Sequence, residues 1–309
     1  MPGRRVIVTG GAGFIGSHVV DAFLALGDEV VAVDNLTTGR RANVDAGAKL
    51  EELDIVDAST LRDTFTEFGP QIACHLAAQA SVTASVERPD FDLDVNVRGT
   101  LNVCEAARNV GAAVVFASTG GALYGNGAPL PTPEAFPPEP LSPYGASKLA
   151  GEGYVATWGR LFESPNVVLR LGNIYGPRQN PHGEAGVVAI FSERLLRGEA
   201  VTVYGRGEPT RDYVHVADAA RAFVVAAERK RPGTYNVGTG HETSVRELLG
   251  LLQEAAGTAV EADLQPLRAG ELERSALDPR LIERELGWRT EVPVEEGLRE
   301  TFRVYAAGV

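Results

Sequence analysis

Tyr144 and Lys148 stand four residues apart in the run Ser142-Pro143-Tyr144-Gly145-Ala146-Ser147-Lys148. If the residues after Pro143 form a helix, that spacing sets both side chains on one face. A free tyrosine ionises near pH 10, so service as a base at neutral pH asks for a shift of roughly 3 units, about 4 kcal/mol. An adjacent ammonium together with a bound pyridinium ring can supply it, because both favour the phenolate. The pair therefore points to hydride chemistry at a nicotinamide ring, with Tyr144 moving the proton and Lys148 setting its acidity.

A nicotinamide arrives on a dinucleotide, and the N-terminal residues are suited to hold one. Gly10-Gly11-Ala12-Gly13-Phe14-Ile15-Gly16 follows the apolar run Val6-Ile7-Val8 and opens a helix-length stretch, and Asp34 closes the next apolar run. In that context the glycines form a dinucleotide fingerprint. Gly10 and Gly13 let the backbone turn tightly and approach a pyrophosphate at the helix N-terminus, where Phe14 and Ile15 lie, and Gly16 lets the helix pack close to the sheet. Asp34 accepts from a ribose 2′-hydroxyl and repels a 2′-phosphate, so NAD is favoured over NADP. Arg40 and Arg41 follow in the next loop and are read as solvated charges. Asp54-Ile55 ends a third strand, where a carboxylate can accept from the adenine amino group; Asp57 is the better helix cap. Leu76-Ala77-Ala78, after a fourth strand, are expected to pass under the cofactor with small side chains.

The elements that must position these residues follow from periodicity. Strands are expected over 5–9, 29–34, 49–53, 71–75, 113–118 and 166–171, and helices over 13–26, 58–68, 91–110 and 144–163. This alternation implies parallel strands joined by crossover helices: an α/β chain built on a Rossmann-type doubly wound parallel sheet. Seven prolines between 129 and 143 mark a surface loop. Later helices are expected over 186–197, 216–228, 244–256, 279–286 and 294–306, with strands over 200–204 and 234–237. Some of these must return to the first sheet. The expected division is an NAD-binding domain of 1–172 plus about 213–237 and a smaller, interleaved α/β substrate-binding domain of about 173–212 plus 238–309.

Composition removes several classes of partner. With 309 residues, 44% hydrophobic and 23% charged, the chain is an ordinary globular protein, and its net charge of -12 and pI near 5.0 argue against nucleic acid or an anionic membrane. No apolar run approaches a membrane span and the N-terminus lacks a signal peptide's apolar segment. Cys74 and Cys104 lie in apolar surroundings and form no disulfide framework, so the cytoplasm is the expected compartment. His18, His75, His182, His215 and His241 contain no pair at ligand spacing, and no metal site is expected.

Taken in order, Thr9-Gly10-Gly11-Ala12-Gly13-Phe14-Ile15-Gly16, Asp34-Asn35-Leu36, His75-Leu76-Ala77-Ala78, Asn96, Ser118-Thr119, Tyr144-Gly145-Ala146-Ser147-Lys148, Arg170 to Pro177 and Arg211-Asp212-Tyr213-Val214-His215-Val216 resemble the extended short-chain dehydrogenase/reductase superfamily, and within it the UDP-glucose (UDP-galactose) 4-epimerases. The resemblance covers essentially the whole length. It implies tightly held NAD, oxidation at C4 of a UDP-sugar and return of the hydride to the other face. It makes Tyr144 the acid/base at O4, Lys148 a ligand of the nicotinamide ribose, and Thr119 the hydroxyl that bridges O4 and the tyrosine. It adds Asn35, Asn96 and Tyr175 to the cofactor side. On the substrate side it implies Asn173, Arg211 and Arg268 at the diphosphate, whose oxygens an arginine fork pairs with twice, together with Val187, Val188 and Ser275. It also implies a homodimer joined by a four-helix bundle of the helices over 91–110 and 144–163.

The same scaffold serves other reactions. In the related 4,6-dehydratases an Asp-Glu pair follows the catalytic threonine; here Gly120 and Gly121 stand there, and neither transfers a proton. Sugar-nucleotide decarboxylases place a glutamate nearby, where this chain has Ala122. C4 epimerisation is thus the expected reaction, with a dehydratase, a reductase, a uronate epimerase or a non-catalytic nucleotide-binding protein as alternatives. In the resembling epimerases the position of Ser275 sets room around the C2 substituent, so a small serine implies that N-acetylhexosamine nucleotides are accepted beside plain hexoses.

Overall fold

Apolar runs bounded by glycine, proline and acidic turns become strands, and the amphipathic runs between them become helices. The computed structural model describes residues 3–182, 186–267 and 272–308, and every count below is of those residues. In the first half β1 (Arg5–Thr9), α1 (Phe14–Ala25), β2 (Glu29–Asp34), β3 (Lys49–Glu52), α2 (Ala58–Phe68), β4 (Ile72–His75), α3 (Val82–Glu87), α4 (Pro89–Leu93), α5 (Gly99–Val110), β5 (Ala113–Thr119), α6 (Pro143–Leu161) and β6 (Val167–Leu171) follow one another. The second half contributes β7 (Asn173–Tyr175), α7 (Val187–Arg197), β8 (Val201–Tyr204), β9 (Thr210–Arg211), β10 (Tyr213–His215), α8 (Val216–Arg229), β11 (Gly233–Val237), β12 (Thr243–Ser244), α9 (Val245–Ala256), β13 (Ala262–Gln265), α10 (Arg280–Leu286) and α11 (Val294–Ala306).

Seven strands form one sheet in the order β11, β6, β5, β4, β1, β2, β3, and all its pairings are parallel. Both faces are covered, which is why β4 and β6 are buried at every residue rather than alternating. Val6 and Val8 pack with α1 and α8 on one face, while Ile7 packs with α2, α5 and α6 on the other. The strand order reverses between β1 and β4, and the crevice at the carboxyl ends of strands there is where such sheets bind ligands. Thr9, His75 and Thr119 all lie at those ends.

The second unit packs α7, α9 and α11 around Val201, Val203, Leu248, Leu252 and Leu298. β11 returns to the first sheet beside β6, as the interleaving requires. So does the segment after 279: Ile282, Leu286 and Trp288 join the first core, and the Trp288 indole donates to the Asp218 carbonyl at 3.0 Å. The expected division at 238 gave these residues to the second unit; their apolar side chains are taken up by α8 and β11 instead.

Three local expectations change. The helix expected over 91–110 begins at Pro89 and is broken by a π-helical turn at Asp94–Arg98. The proline-rich stretch is not only a surface loop, since Thr132 is buried and donates its N–H to Ala276 at 2.8 Å, while its carbonyl accepts from Asp278 N–H at 2.9 Å. It is drawn inward because it closes the seam beside the 272–278 segment. Pro143 belongs to α6, where a proline at the first turn loses no bond, and Ser142 caps that helix through Gly145 N–H at 3.2 Å.

Candidate active site

The glycine loop is held in its shape by what surrounds it. Gly10 has φ +71° and a side chain there would come within 2.6 Å of Ala77 N, so only glycine fits. A side chain on Gly16 would come within 2.0 Å of the Gly10 carbonyl, which is how α1 closes down on the loop. Gly13 sits at the N-cap of α1 with no side-chain cap, leaving the first N–H groups of the helix, those of Phe14 and Ile15 among them, without a capping side chain. Asp34 accepts from Ala12 N–H at 3.0 Å and Leu36 N–H at 2.8 Å, which fixes its carboxylate at the mouth of the loop. Asn35 donates to Asp54 at 3.0 Å at the exposed edge, and Ile55 is buried just behind. Arg41 pairs with Glu52 at 2.5 Å in solvent, and Arg40 is exposed. Asp57, not Asp54, caps α2.

An uncapped helix end facing the glycine turn, a fixed carboxylate at the tip of the second strand and a floor of Leu76, Ala77 and Ala78 fit a dinucleotide. The donor set offers amides to a pyrophosphate and a carboxylate to a ribose, the match that NAD demands.

Tyr144 and Lys148 emerge from the first turns of α6 toward the end of β5. The Thr119 side chain lies beside the Tyr144 phenol and favours its ionised form. The ammonium of Lys148 donates to the Ala117 carbonyl at 3.0 Å and lies 5.0 Å above the Phe116 ring. Burial pushes the Tyr144 phenol up to about 12, with Thr119 acting the other way. Burial also pulls Lys148 down to about 8, opposed by the carboxylates of Asp92 and Glu152.

Asn96 lies in the π turn, where such bulges often mark functional sites. Its carboxamide is committed within the protein: it donates to the Gln79 carbonyl at 2.9 Å, Ser147 Oγ at 3.0 Å and Asp92 at 3.1 Å, and accepts from Gln79 N–H at 2.9 Å. It knits the floor after β4 to the turn of α6 that carries Tyr144. The side chain of Tyr175, expected at the cofactor, is packed into the second core. It is 1% exposed, meets Tyr213 and His215 edge-on, and donates to the Val294 carbonyl at 3.3 Å, because α11 packs over β7 and seals it.

On the substrate side a cavity of about 420 Å³ opens beside Gly120, its walls including Tyr124, Asn126, Thr132, Arg274 and the buried Ser275. A side chain on Gly120 would meet Leu277 at 2.3 Å, so no acid fits there without displacing the wall. Asn173 reaches toward Gly121, where an added Cβ would lie 3.3 Å from its Oδ1. Arg211 ends β9 and donates to the Thr210 carbonyl at 2.8 Å. Val187 is half-buried at the first turn of α7, whereas Val188 is part of the second core. Arg268 lies outside the described residues. The described residues hold no cluster of histidine, cysteine and carboxylate side chains able to bind a metal.

Several positioning residues escaped the sequence reading. Glu152 accepts from Ser118 Oγ at 2.6 Å and pairs with Arg170 at 2.7 Å, and Arg170 donates to Tyr124 Oη at 2.8 Å. Its spacing was a signal: Tyr144, Lys148 and Glu152 repeat every four residues along one helical face. Asp92 and Asn96 share that spacing. Asp212, 1% exposed, accepts from Thr239 N–H at 2.8 Å, Gly240 N–H at 3.2 Å and Leu277 N–H at 3.0 Å, anchoring the cavity wall beside Arg211, and burial raises its carboxyl.

The sequence model of the NAD dependent epimerase/dehydratase family matches residues 6–238. The chain is 46% identical over 308 residues to the UDP-glucose 4-epimerase of Mycolicibacterium smegmatis, covering 97% of this chain and 98% of that one. It is similar to the crystal structure of Thermotoga maritima UDP-glucose 4-epimerase with UDP-glucose, at a TM-score of 0.95 and 44% identity over 98% of this chain and 99% of the other. The Thermus thermophilus UDP-glucose 4-epimerase complex with NAD gives a TM-score of 0.93 at 48% identity, covering 99% and 100%.

Proposed function

The chain belongs to the NAD dependent epimerase/dehydratase family, and from that premise we propose that it inverts C4 of a UDP-hexose, interconverting UDP-glucose and UDP-galactose through a transient 4-keto sugar. The observation that carries the reading is the Thr119–Tyr144 hydroxyl pair with glycines at 120 and 121 behind it. A proton path reaches the site, but no acid stands where an elimination needs one.

A bound NAD would supply hydride transfer at C4 of the sugar. Gly10, Gly13, Phe14, Ile15 and Gly16 present backbone to its pyrophosphate, Asp34 accepts from a ribose hydroxyl, and Asn35 with Asp54 meets the adenine. Tyr144 receives the O4 proton and gives it back, Thr119 orients that oxygen, and Lys148 supplies positive charge as the phenol ionises. Asn173, Arg211 and Arg268 hold the diphosphate, and Val187 borders the uridine. The substrate lies between the unit of the seven-stranded sheet, to which 213–237 and the segment of Ile282 to Trp288 return, and the unit packed on α7, α9 and α11.

A buried Ser275 in the cavity wall leaves room beside the sugar for an N-acetyl group. The purified protein is therefore expected to turn over UDP-galactose and UDP-N-acetylgalactosamine. Ser275→Tyr is expected to lower kcat/KM for the N-acetyl sugar by more than about tenfold relative to the plain hexose, since the new ring occupies the space. Turnover of UDP-galactose alone by the unaltered protein sinks the substrate range, and turnover of neither sinks the function. The proposed assembly is a cytoplasmic homodimer through a four-helix bundle of α5 and α6, with Leu161 and Phe162 exposed where α6 ends; a monomer by light scattering at micromolar concentration contradicts it. No helix among the described residues is long and apolar enough to cross a membrane.

A further inference from the structure

Asp92 is a charged group in a nearly dry place. It is 1% exposed on α4, and its Oδ1 accepts from Gln79 Nε2 at 2.9 Å and Asn96 Nδ2 at 3.1 Å. Both donors are neutral amides, so they orient the carboxylate without cancelling its charge. A buried carboxylate held only by amides is costly unless its field serves a cation nearby. That cation is Lys148: the Asn96 carboxamide that holds Asp92 also donates to Ser147 Oγ at 3.0 Å, the residue before Lys148 on α6, and the Asp92 charge favours the ammonium.

We propose that Asp92 is a positioning residue for the epimerisation: its buried charge, aimed by Gln79 and Asn96, keeps Lys148 in the ammonium form beside Tyr144.

Four titratable groups face Lys148: Asp92 from α4, Glu152 and Tyr144 from its own helix, and His75 from β4. Glu152 is already matched by Arg170 at 2.7 Å and by Ser118. His75 is fully buried between Thr9 and Thr100, and burial pulls it down to about 3, so it stays neutral. Tyr144 is neutral because its phenol is pushed up to about 12. Of the four, Asp92 is the one whose charge is left to Lys148. Without it, burial of the ammonium at 4% exposure is opposed mainly by the Ala117 carbonyl and the Phe116 ring. Asp92 acts on Tyr144 with the opposite benefit, opposing the phenolate. Removing its charge therefore lowers both ionisations together.

The variant to make is Asp92→Asn, whose amide oxygen still accepts from Gln79 and Asn96. The chain has three lysines, Lys49, Lys148 and Lys230, so protein labelled with ¹³C at lysine Cε gives three resonances, and Lys148 is identified by its loss in Lys148→Arg. The Lys148 midpoint is expected to fall by about one pH unit in Asp92→Asn, and both limbs of the kcat–pH profile for UDP-galactose move to lower pH with KM unchanged. A merely structural role lowers kcat at every pH and leaves the limbs in place. A Lys148 midpoint in Asp92→Asn that coincides with the unaltered protein's overturns the proposal. If Asp92→Asn does not fold, Asp92→Ser takes its place. In the unaltered protein itself a Lys148 midpoint below about pH 7 overturns it. The proposal rests on the roles given to Tyr144 and Lys148 above, but the resonance titration needs no turnover. An inactive protein with a displaced Lys148 midpoint therefore refutes the reaction and not the charge-holding role.

Discussion

Tyr144→Phe is expected to lower kcat for UDP-galactose by about 10³-fold, the middle of the range a positioned proton donor and acceptor contributes, while KM and NAD retention stay close to the unaltered protein's. The hydroxyl's partner in the site is Thr119, and the ring fills its half-buried position on α6 without it, so the change removes proton transfer and leaves packing alone. Burial pushes the phenol up to about 12, so the hydroxyl keeps its proton until the site is loaded, and phenylalanine leaves nothing to take or return the O4 proton. Residual activity above about a tenth of the original would remove Tyr144 from the reaction.

Arg170→Met is expected to destabilise the fold by about 3–5 kcal/mol, read as a fall in the urea midpoint at unchanged slope. The Arg170 and Glu152 side chains are 7% and 8% exposed and pair at 2.7 Å, so removing the guanidinium strands a buried carboxylate with only Ser118 beside it. Tyr124 loses a donor in the same step. The penalty shrinks as pH falls, because a stranded carboxyl whose folded pKa is raised favours the folded state once it takes a proton. Replacing both partners, Arg170→Met with Glu152→Met, is expected to recover most of the loss, since an apolar pair carries no stranded charge. Equal stability of the single and double variants would show that the pair is not what holds β6 to α6.

The Rossmann-type half was legible because its signals are local. Each strand of 5–9, 29–34 and 113–118 is a short apolar run, and the glycine loop and Asp34 sit at its ends by sequence order alone. Tyr144 and Lys148 needed only a helical repeat. What escaped depends on partners far along the chain. Thr132 is buried because Ala276 and Asp278 return to it, and Tyr175 is sealed by α11, so a tyrosine beside motif residues became core. The π turn at Asp94–Arg98 inserts an irregularity that an amphipathic pattern does not encode. Strands as short as β7, β9 and β10 have too few residues for a period to appear. The protonation state of the site was the least legible of all. Spacing placed the ammonium beside the phenol, but burial of both groups and the Ala117 carbonyl decide where their protons rest.

The central claim is that the hydride returns to the carbon it left. UDP-galactose carrying deuterium at C4, incubated with the purified protein, is predicted to give UDP-glucose that retains the deuterium at C4, with no accumulation of reduced cofactor by absorbance. Deuterium appearing in solvent, or reduced cofactor accumulating in step with a 4-keto product, would contradict it.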